Sequence, residues 1–181
     1  MPRIIAVAGF AGSGKTTAID FLEADGIGYR AYIGKFVTEQ VVARGLSLTP
    51  ANERTVRMAL REEEGPACLA SLAEPTIRAL LNDGKDVLID AIASIHELDA
   101  YRKHDCSDFV LVAVKASFAS RVARLSKRSI KPLGEEDLRR RDTLESEELG
   151  ASSVMEAATV VLINDGPLSA FHAALNELFR D

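Results

Sequence analysis

Gly9-Phe10-Ala11-Gly12-Ser13-Gly14-Lys15-Thr16-Thr17 decides the reading of this chain. Its spacing is G-x-x-x-x-G-K-[ST], in which glycines let backbone N–H groups converge on an anion that a Cβ would hold away. Arg3 to Ala8 ahead of it predicts a buried strand. Thr17 to Ala24 behind it predicts a helix with Ile19 and Leu22 turned inward. A loop between a strand and a helix N-terminus aims helix amides and dipole at the same anion. The stretch predicts a site for the phosphates of a nucleoside triphosphate, contacted by Gly9, Ala11, Gly12, Ser13, Gly14, Lys15, Thr16 and Thr17. Lys15 is expected to reach the β- and γ-phosphates, and the Thr16 hydroxyl to hold Mg2+.

The chain has 181 residues, enough for one α/β domain with a core and too few for two ordinary ones. A net charge of −5 argues against nucleic acid as the main partner, since such domains usually carry a basic excess. Cys68 and Cys106 stand far apart with no C-x-x-C partner, which points to reduced thiols. His96, His104 and His172 are scattered, without metal-ligand spacing. Met1-Pro2-Arg3 leads straight into the first strand, so no secretory signal is predicted. The longest apolar run, Phe109 to Val114, is far short of a membrane span. A single-domain, cytoplasmic protein without a membrane partner is the expectation.

Further along, Tyr29 to Ile33 predicts a short strand, and Gly34 opens a helix to about Ala43 capped by Gly45. Thr49-Pro50 starts another helix, with threonine as N-cap, which Gly65-Pro66 breaks. Helices are predicted for 67–81, 97–104, 117–128 and 135 to about 147, with strands at 86–90, 108–114 and 158–163. A closing helix carries Leu168, Phe171, Leu175 and Leu178 as its apolar stripe. Alternating strands and helices predict a parallel sheet covered on both faces, with ligands beyond the carboxyl ends of its strands. The phosphate loop, Asp90, Ala116 and Asn164 then share one edge.

Four groups at or near that edge are candidates for chemistry. Asp90 ends an apolar strand and is either the carboxylate that orients Mg2+ or the N-cap of the next helix. Between Arg121 and Arg141 lie Arg121, Arg124, Lys127, Arg128, Lys131, Arg139, Arg140 and Arg141, a basic excess in an acidic chain. It reads as a lid segment, 126–147, whose guanidinium groups meet the charge of phosphoryl transfer, with Arg124, Arg128 and Arg141 the candidates. Its plainer reading is a solvated face with pairs such as Glu136–Arg140 and Asp137–Arg141. Arg54, Arg57 and Arg61 form a row that either grips an acceptor's phosphate or pairs with Glu53, Glu62 or Glu64. Asn164 and Gly166 after the last strand either touch adenine or form only a turn.

The chain resembles the P-loop nucleotide-kinase superfamily, whose familiar members are adenylate kinase and dephospho-CoA kinase. More narrowly it is similar to a mostly archaeal family of adenylate-kinase-related proteins. Besides the phosphate loop, the resemblance rests on Gly34, on Arg44-Gly45-Leu46-Ser47-Leu48-Thr49-Pro50, and on Leu60-Arg61-Glu62-Glu63-Glu64-Gly65-Pro66. Asp90, Arg141-Asp142 and Asn164-Asp165-Gly166 complete it. The resemblance implies a five-stranded sheet in the order 2-3-1-4-5, an acceptor-binding helical segment at 34–65, an arginine-bearing lid, and Mg2+-ATP as donor. Two motifs depart from it. Where the family has Gly-Asp and an arginine three residues on, this chain has Lys35 and Thr38; where it has Asp-Gly-x-Arg, this chain reads Asp90-Ala91-Ile92-Ala93. Lysine does not reproduce a bidentate guanidinium contact. The donor half of the site is thus expected to be intact and the acceptor half altered, with Lys35, Arg57 and Arg61 as its cations. Three functions fit: a kinase of a nucleotide-like acceptor, a nucleotide sensor that has lost its acceptor site, or a kinase of a small non-nucleotide metabolite.

Overall fold

β1 (Arg3–Ala8) lies at the centre of a parallel five-stranded sheet ordered β2-β3-β1-β4-β5. The computed structural model describes residues 1–90, 92–104, 108–128 and 132–180. Cys106 and Lys131, named above, and Ala91 lie outside the described residues. β3 (Val87–Asp90) pairs with one edge of β1, Ala6 opposite Ile89, and β4 (Asp108–Lys115) with the other, Ala6 opposite Leu111. β2 (Tyr29–Ala31) and β5 (Val160–Ile163) form the edges.

Successive residues of a strand point to opposite faces, and an unbroken apolar run therefore suits a strand covered on both sides. Ile5 and Val7 pack with α1 (Lys15–Ala24) and α9 (Leu168–Phe179) through Ile19, Leu22, Phe171 and Leu175. Ile4, Ala6 and Ala8 face the other layer, where α2 (Gly34–Ala43), α3 (Pro50–Glu64), α4 (Cys68–Asn82) and α5 (Ile95–Tyr101) close a larger core. Thr49 caps α3 as expected, its hydroxyl accepting from Asn52 N at 3.2 Å. Ser94 caps α5, accepting from Glu97 N at 3.2 Å, so the cap of that helix is not Asp90.

A third, smaller cluster determines where the charged segment goes. α6 (Phe118–Ser126) and α7 (Glu135–Glu147) bury Leu125 and Leu138 against Ala11 of the phosphate loop, with Phe118, Val122 and Leu133 around them. α7 is therefore seated on the loop rather than detached from it. The structure adds α8 (Ala151–Glu156), which has no counterpart in the sequence reading. It is a six-residue helix that buries only Val154 and Met155, too short to leave a periodic signal. α1 begins at Lys15 and α5 at Ile95, each two residues earlier than expected.

Ile89 is fully buried in the larger core, whereas Ile163 on the edge strand is 66% exposed. We expect Ile89→Ala to lower the unfolding free energy by about 2–5 kcal/mol. Ile163→Ala should stay within about 0.5 kcal/mol. Urea denaturation followed by circular dichroism compares the two.

Candidate active site

β1 ends at Ala8 and the chain wraps tightly before α1 begins at Lys15. At Gly9, with φ 147°, a Cβ would run into the Val114 carbonyl and lie 2.7 Å from Ser13 Oγ. At Gly14, with φ 113°, it would strike the Asn164 side-chain amide. Both positions therefore need glycine on steric as well as conformational grounds. No side chain caps the N-terminus of α1 and its first turn holds no acidic residue, which leaves its amides and dipole to an external anion. Ser13 Oγ is buried inside the loop without a hydrogen-bond partner, a further polar group that a phosphate would satisfy.

The loop's carbonyls are occupied. Lys15 Nζ donates to Gly9 O at 2.7 Å and to Phe10 O at 3.2 Å. Arg121 donates to Ala11 O at 3.3 Å, and Arg124 reaches Gly12 O and Ser13 O at 3.4 Å each. Asn164 Nδ2 donates to Ser13 O at 2.8 Å, and the Asn164 carbonyl accepts from Arg124 at 2.6 Å. Two residues expected to meet the nucleotide thus brace the loop from behind: Arg124 through its guanidinium and Asn164 through its amide. Gly166 is exposed, and a Cβ there would touch nothing within 4 Å. Asp165 between them accepts from Ser117 N at 2.8 Å, tying the end of β5 to the start of α6.

Arg121, one of the basic cluster but not a chosen candidate, proves to be its structural centre. It is buried between the Phe10 and Phe118 rings, each centroid 5.4 Å away, and forks onto Asp142 of α7 at 2.9 and 2.6 Å. The fork fixes the preceding residue of α7, Arg141, at the cavity beside Lys15. Arg141 pairs with Glu145 at 2.7 Å rather than with Asp137, and Glu145 lines the cavity beside Lys15 together with it. The expected Glu136–Arg140 pair does form, at 3.0 Å on the solvent side. Arg128 is exposed and acts on Lys15 through its charge alone.

Beside Lys15 opens a cavity of about 320 Å3. Gly9, Lys15 and Asp90 form its inner end; Arg57 and Arg61 of α3, Glu97 of α5, and Arg141 and Glu145 of α7 line the rest. Arg61 pairs with Glu97 at 3.0 Å, both nearly buried, instead of with its neighbours Glu53, Glu62 or Glu64. Glu97 also accepts from Ala93 N at 3.0 Å, so this carboxylate links Ala93, three residues past β3, to α3. The sequence carries a signal for Glu97: Ser94-Ile95-His96-Glu97 spells a capping box, and glutamate at its third helical position points back across the turn. Lys35 does not line the cavity. It is exposed, its ammonium 5.4 Å from the Phe36 ring centroid, while Thr38 Oγ1 donates to Gly34 O at 3.1 Å.

Burial pulls Lys15 down to about 8, Glu145 opposes this, and Arg141, Arg128 and Arg121 add to it. Burial likewise pushes Asp90 above the usual carboxylate range, against the pull of Arg30 and with the push of Asp20. Arg57 is lowered by burial and by the neighbouring charge of Arg61. Two groups therefore wait for anions and one for a cation. Among the described residues there is no cluster of three His, Cys, Asp or Glu that would cage a metal. That donor set fits Mg2+, which is held by few protein ligands and by phosphate oxygens; Thr16, exposed at the start of α1, and Asp90 are the groups that would hold it.

Residues 5–145 match the protein family described as an AAA domain. Over 178 residues, 97% of this chain, the sequence is 33% identical to a UPF0200 protein of Thermococcus onnurineus, covering 95% of that protein. The chain belongs to the UPF0200 family. It is equally 33% identical to a UPF0200/UPF0201 protein of Archaeoglobus fulgidus, of whose length it spans about half, 54%. Three solved structures share the fold. TT1252 from Thermus thermophilus superposes with a TM-score of 0.62 at 21% identity, covering 98% of this chain and 96% of that one. Shikimate kinase from Bacteroides thetaiotaomicron gives 0.58 at 14% identity, covering 98% and 97%. A gluconokinase from Sinorhizobium meliloti gives 0.53 at 20% identity, covering 98% and 94%. The sheet order expected from the resemblance, 2-3-1-4-5, is the order observed. No helix among the described residues is long and apolar enough to cross a membrane.

With Lys15 near 8 in the empty site, about half its ammonium groups are deprotonated at pH 8. A bound triphosphate restores the charge, so binding at pH 8 should take up roughly half a proton per site, falling towards none at pH 6.5 from this group. Titration calorimetry with Mg2+-ATP in two buffers of different ionisation heat measures it; no buffer dependence at pH 8 would contradict the assignment.

Proposed function

We propose that this chain is an ATP-dependent phosphotransferase that moves the γ-phosphoryl group onto a small phosphorylated or hydroxylated acceptor. The observation that carries the reading is the cavity of about 320 Å3 that begins at Lys15 and Asp90 and continues to Arg57 and Arg61. Its volume suits a small molecule rather than a macromolecule. The loop amides with Lys15, Thr16 and Thr17 hold the triphosphate; Lys15 spans the β- and γ-oxygens. The Thr16 hydroxyl and Asp90 would hold Mg2+, which would supply neutralisation of the charge on those oxygens. Arg57, Arg61 and Arg141 position the acceptor and meet its charge, Arg128 strengthens the field around Lys15, and α7 excludes water from the inner end. Arg124 and Asn164 act through the loop they brace. Lys35 joins the acceptor only if α2 shifts it towards the cavity.

A nucleoside monophosphate or a dephospho-CoA-like molecule is the first acceptor class for this site, in keeping with the resemblance to nucleotide kinases. The named activities of the structural neighbours, on shikimate and gluconate, support a small non-nucleotide acceptor as the second. An open cavity with four cations (Lys15, Arg57, Arg61, Arg141) and three carboxylates (Asp90, Glu97, Glu145) supports transfer over a sensor with a vestigial acceptor site.

The purified protein is to be incubated with Mg2+-ATP and, in turn, nucleoside monophosphates, dephospho-CoA, shikimate and gluconate, with ADP and phosphorylated product quantified. One acceptor should give stoichiometric ADP, and Lys15→Ala should lower that turnover by about a hundredfold or more. Unchanged turnover in the variant, or no product from any acceptor, would refute the reading.

A further inference from the structure

A separate cavity of about 320 Å3 lies between the end of β4 and α8. Among the described residues, none lines both it and the cavity beside Lys15. Its apolar lining is Phe10, Val114, Ala116 and Met155, all buried or half-buried. Lys115 and Glu156, both exposed, bring one charge of each sign to it. Lys115 shares the sheet face of Leu111 and Ala113, the face on which Val154 and Met155 seat α8, so the ammonium and the carboxylate stand on one side of the sheet. Neither has an ion-pair partner among the described residues, and they do not pair with each other.

We infer that this cavity is an effector site for a small zwitterion with an apolar body, of the class of α-amino acids with a large apolar side chain. The ligand's carboxylate pairs with Lys115, its ammonium with Glu156, and its side chain covers Phe10 and Met155. Exposed ion pairs contribute little each, so burial of the side chain supplies most of the affinity and the two charges supply the choice of ligand. A thioether and a phenyl ring suit a ring or a branched chain. The walls make it an effector site rather than an isolated pocket. Phe10 belongs to the phosphate loop, and its carbonyl accepts from Lys15 Nζ at 3.2 Å. Arg121, also in the lining, braces Ala11 O at 3.3 Å and forks onto Asp142 of α7. A ligand packed on these two residues restrains the loop and the anchor of α7 in the arrangement that receives a triphosphate. By linkage, nucleotide and effector then tighten each other's binding by the same factor.

Calorimetry without nucleotide tests the site with L-phenylalanine, glycine, 3-phenylpropionate and 2-phenylethylamine, which remove in turn the side chain, the ammonium and the carboxylate. L-phenylalanine is expected to bind at least about tenfold tighter than glycine and about threefold tighter than either singly charged analogue. Lys115→Glu should weaken L-phenylalanine and 3-phenylpropionate but not 2-phenylethylamine; Glu156→Lys should weaken L-phenylalanine and 2-phenylethylamine but not 3-phenylpropionate. Both side chains are exposed, and circular dichroism checks that the variants fold. Saturating L-phenylalanine should then tighten Mg2+-ADP binding to the unaltered protein about fivefold. No binding of L-phenylalanine, equal affinity for glycine, or charge reversals without these opposite patterns would overturn the site, and unchanged Mg2+-ADP affinity would overturn its effector role. Failure of Mg2+-ADP to bind at all removes the phosphotransferase reading and the effector role, while the titrations without nucleotide still decide the site.

Discussion

Every carbonyl from Gly9 to Ser13 accepts a hydrogen bond from a side chain: Lys15, Arg121, Arg124 or Asn164. The rest of the site depends on this. Arg121, Arg124 and Asn164 hold the Ala11, Gly12 and Ser13 carbonyls away from the cavity, which turns the N–H of the same peptide groups towards an anion, whereas Lys15 holds the Gly9 and Phe10 carbonyls on the cavity side. Bracing also lowers the conformational freedom that glycines would otherwise contribute to an empty loop. The braces come from three directions. Lys15 opens α1, Arg121 and Arg124 lie on α6, and Asn164 follows β5. The loop is consequently the point at which the sheet and the charged helices are joined.

That joint explains how α7 is placed. Asp142 and Leu138 anchor it to Arg121 and to the small cluster under Ala11, and Arg141 and Glu145 then face Lys15 across the cleft. Charges in the cleft are mostly balanced in pairs, Arg61 with Glu97 and Arg141 with Glu145. Lys15 and Asp90 deviate from their ordinary ionisation because each is buried without a full partner. A triphosphate and a divalent cation are the complementary charges, and binding them removes both penalties together.

The fold and the phosphate loop were legible along the chain. Apolar runs marked the strands, Thr49 and Gly65 bounded α3, and nine consecutive residues spelled the loop. The acceptor half was less legible. Lys35 looked like a replacement cation but projects away from the cavity, because the side chain that follows Gly34 at the start of α2 faces solvent. Arg124 and Asn164 were expected to meet the nucleotide; in the structure their polar groups are used by the loop's own carbonyls. Arg121 was hidden among seven other cations with nothing local to distinguish it.

What the sequence determined by itself is whatever a short segment encodes through spacing: strand and helix periodicity, caps, and a glycine-lysine loop spelled by nine consecutive residues. The tertiary structure decided which charged side chain found which partner. Arg61 joins Glu97 across 36 residues, Arg121 joins Ala11 across 110, and Asn164 joins Ser13 across 151. Long cationic side chains have many candidate partners in an extended chain, and only burial against the assembled sheet, where an unmatched polar group is costly, selects one of them.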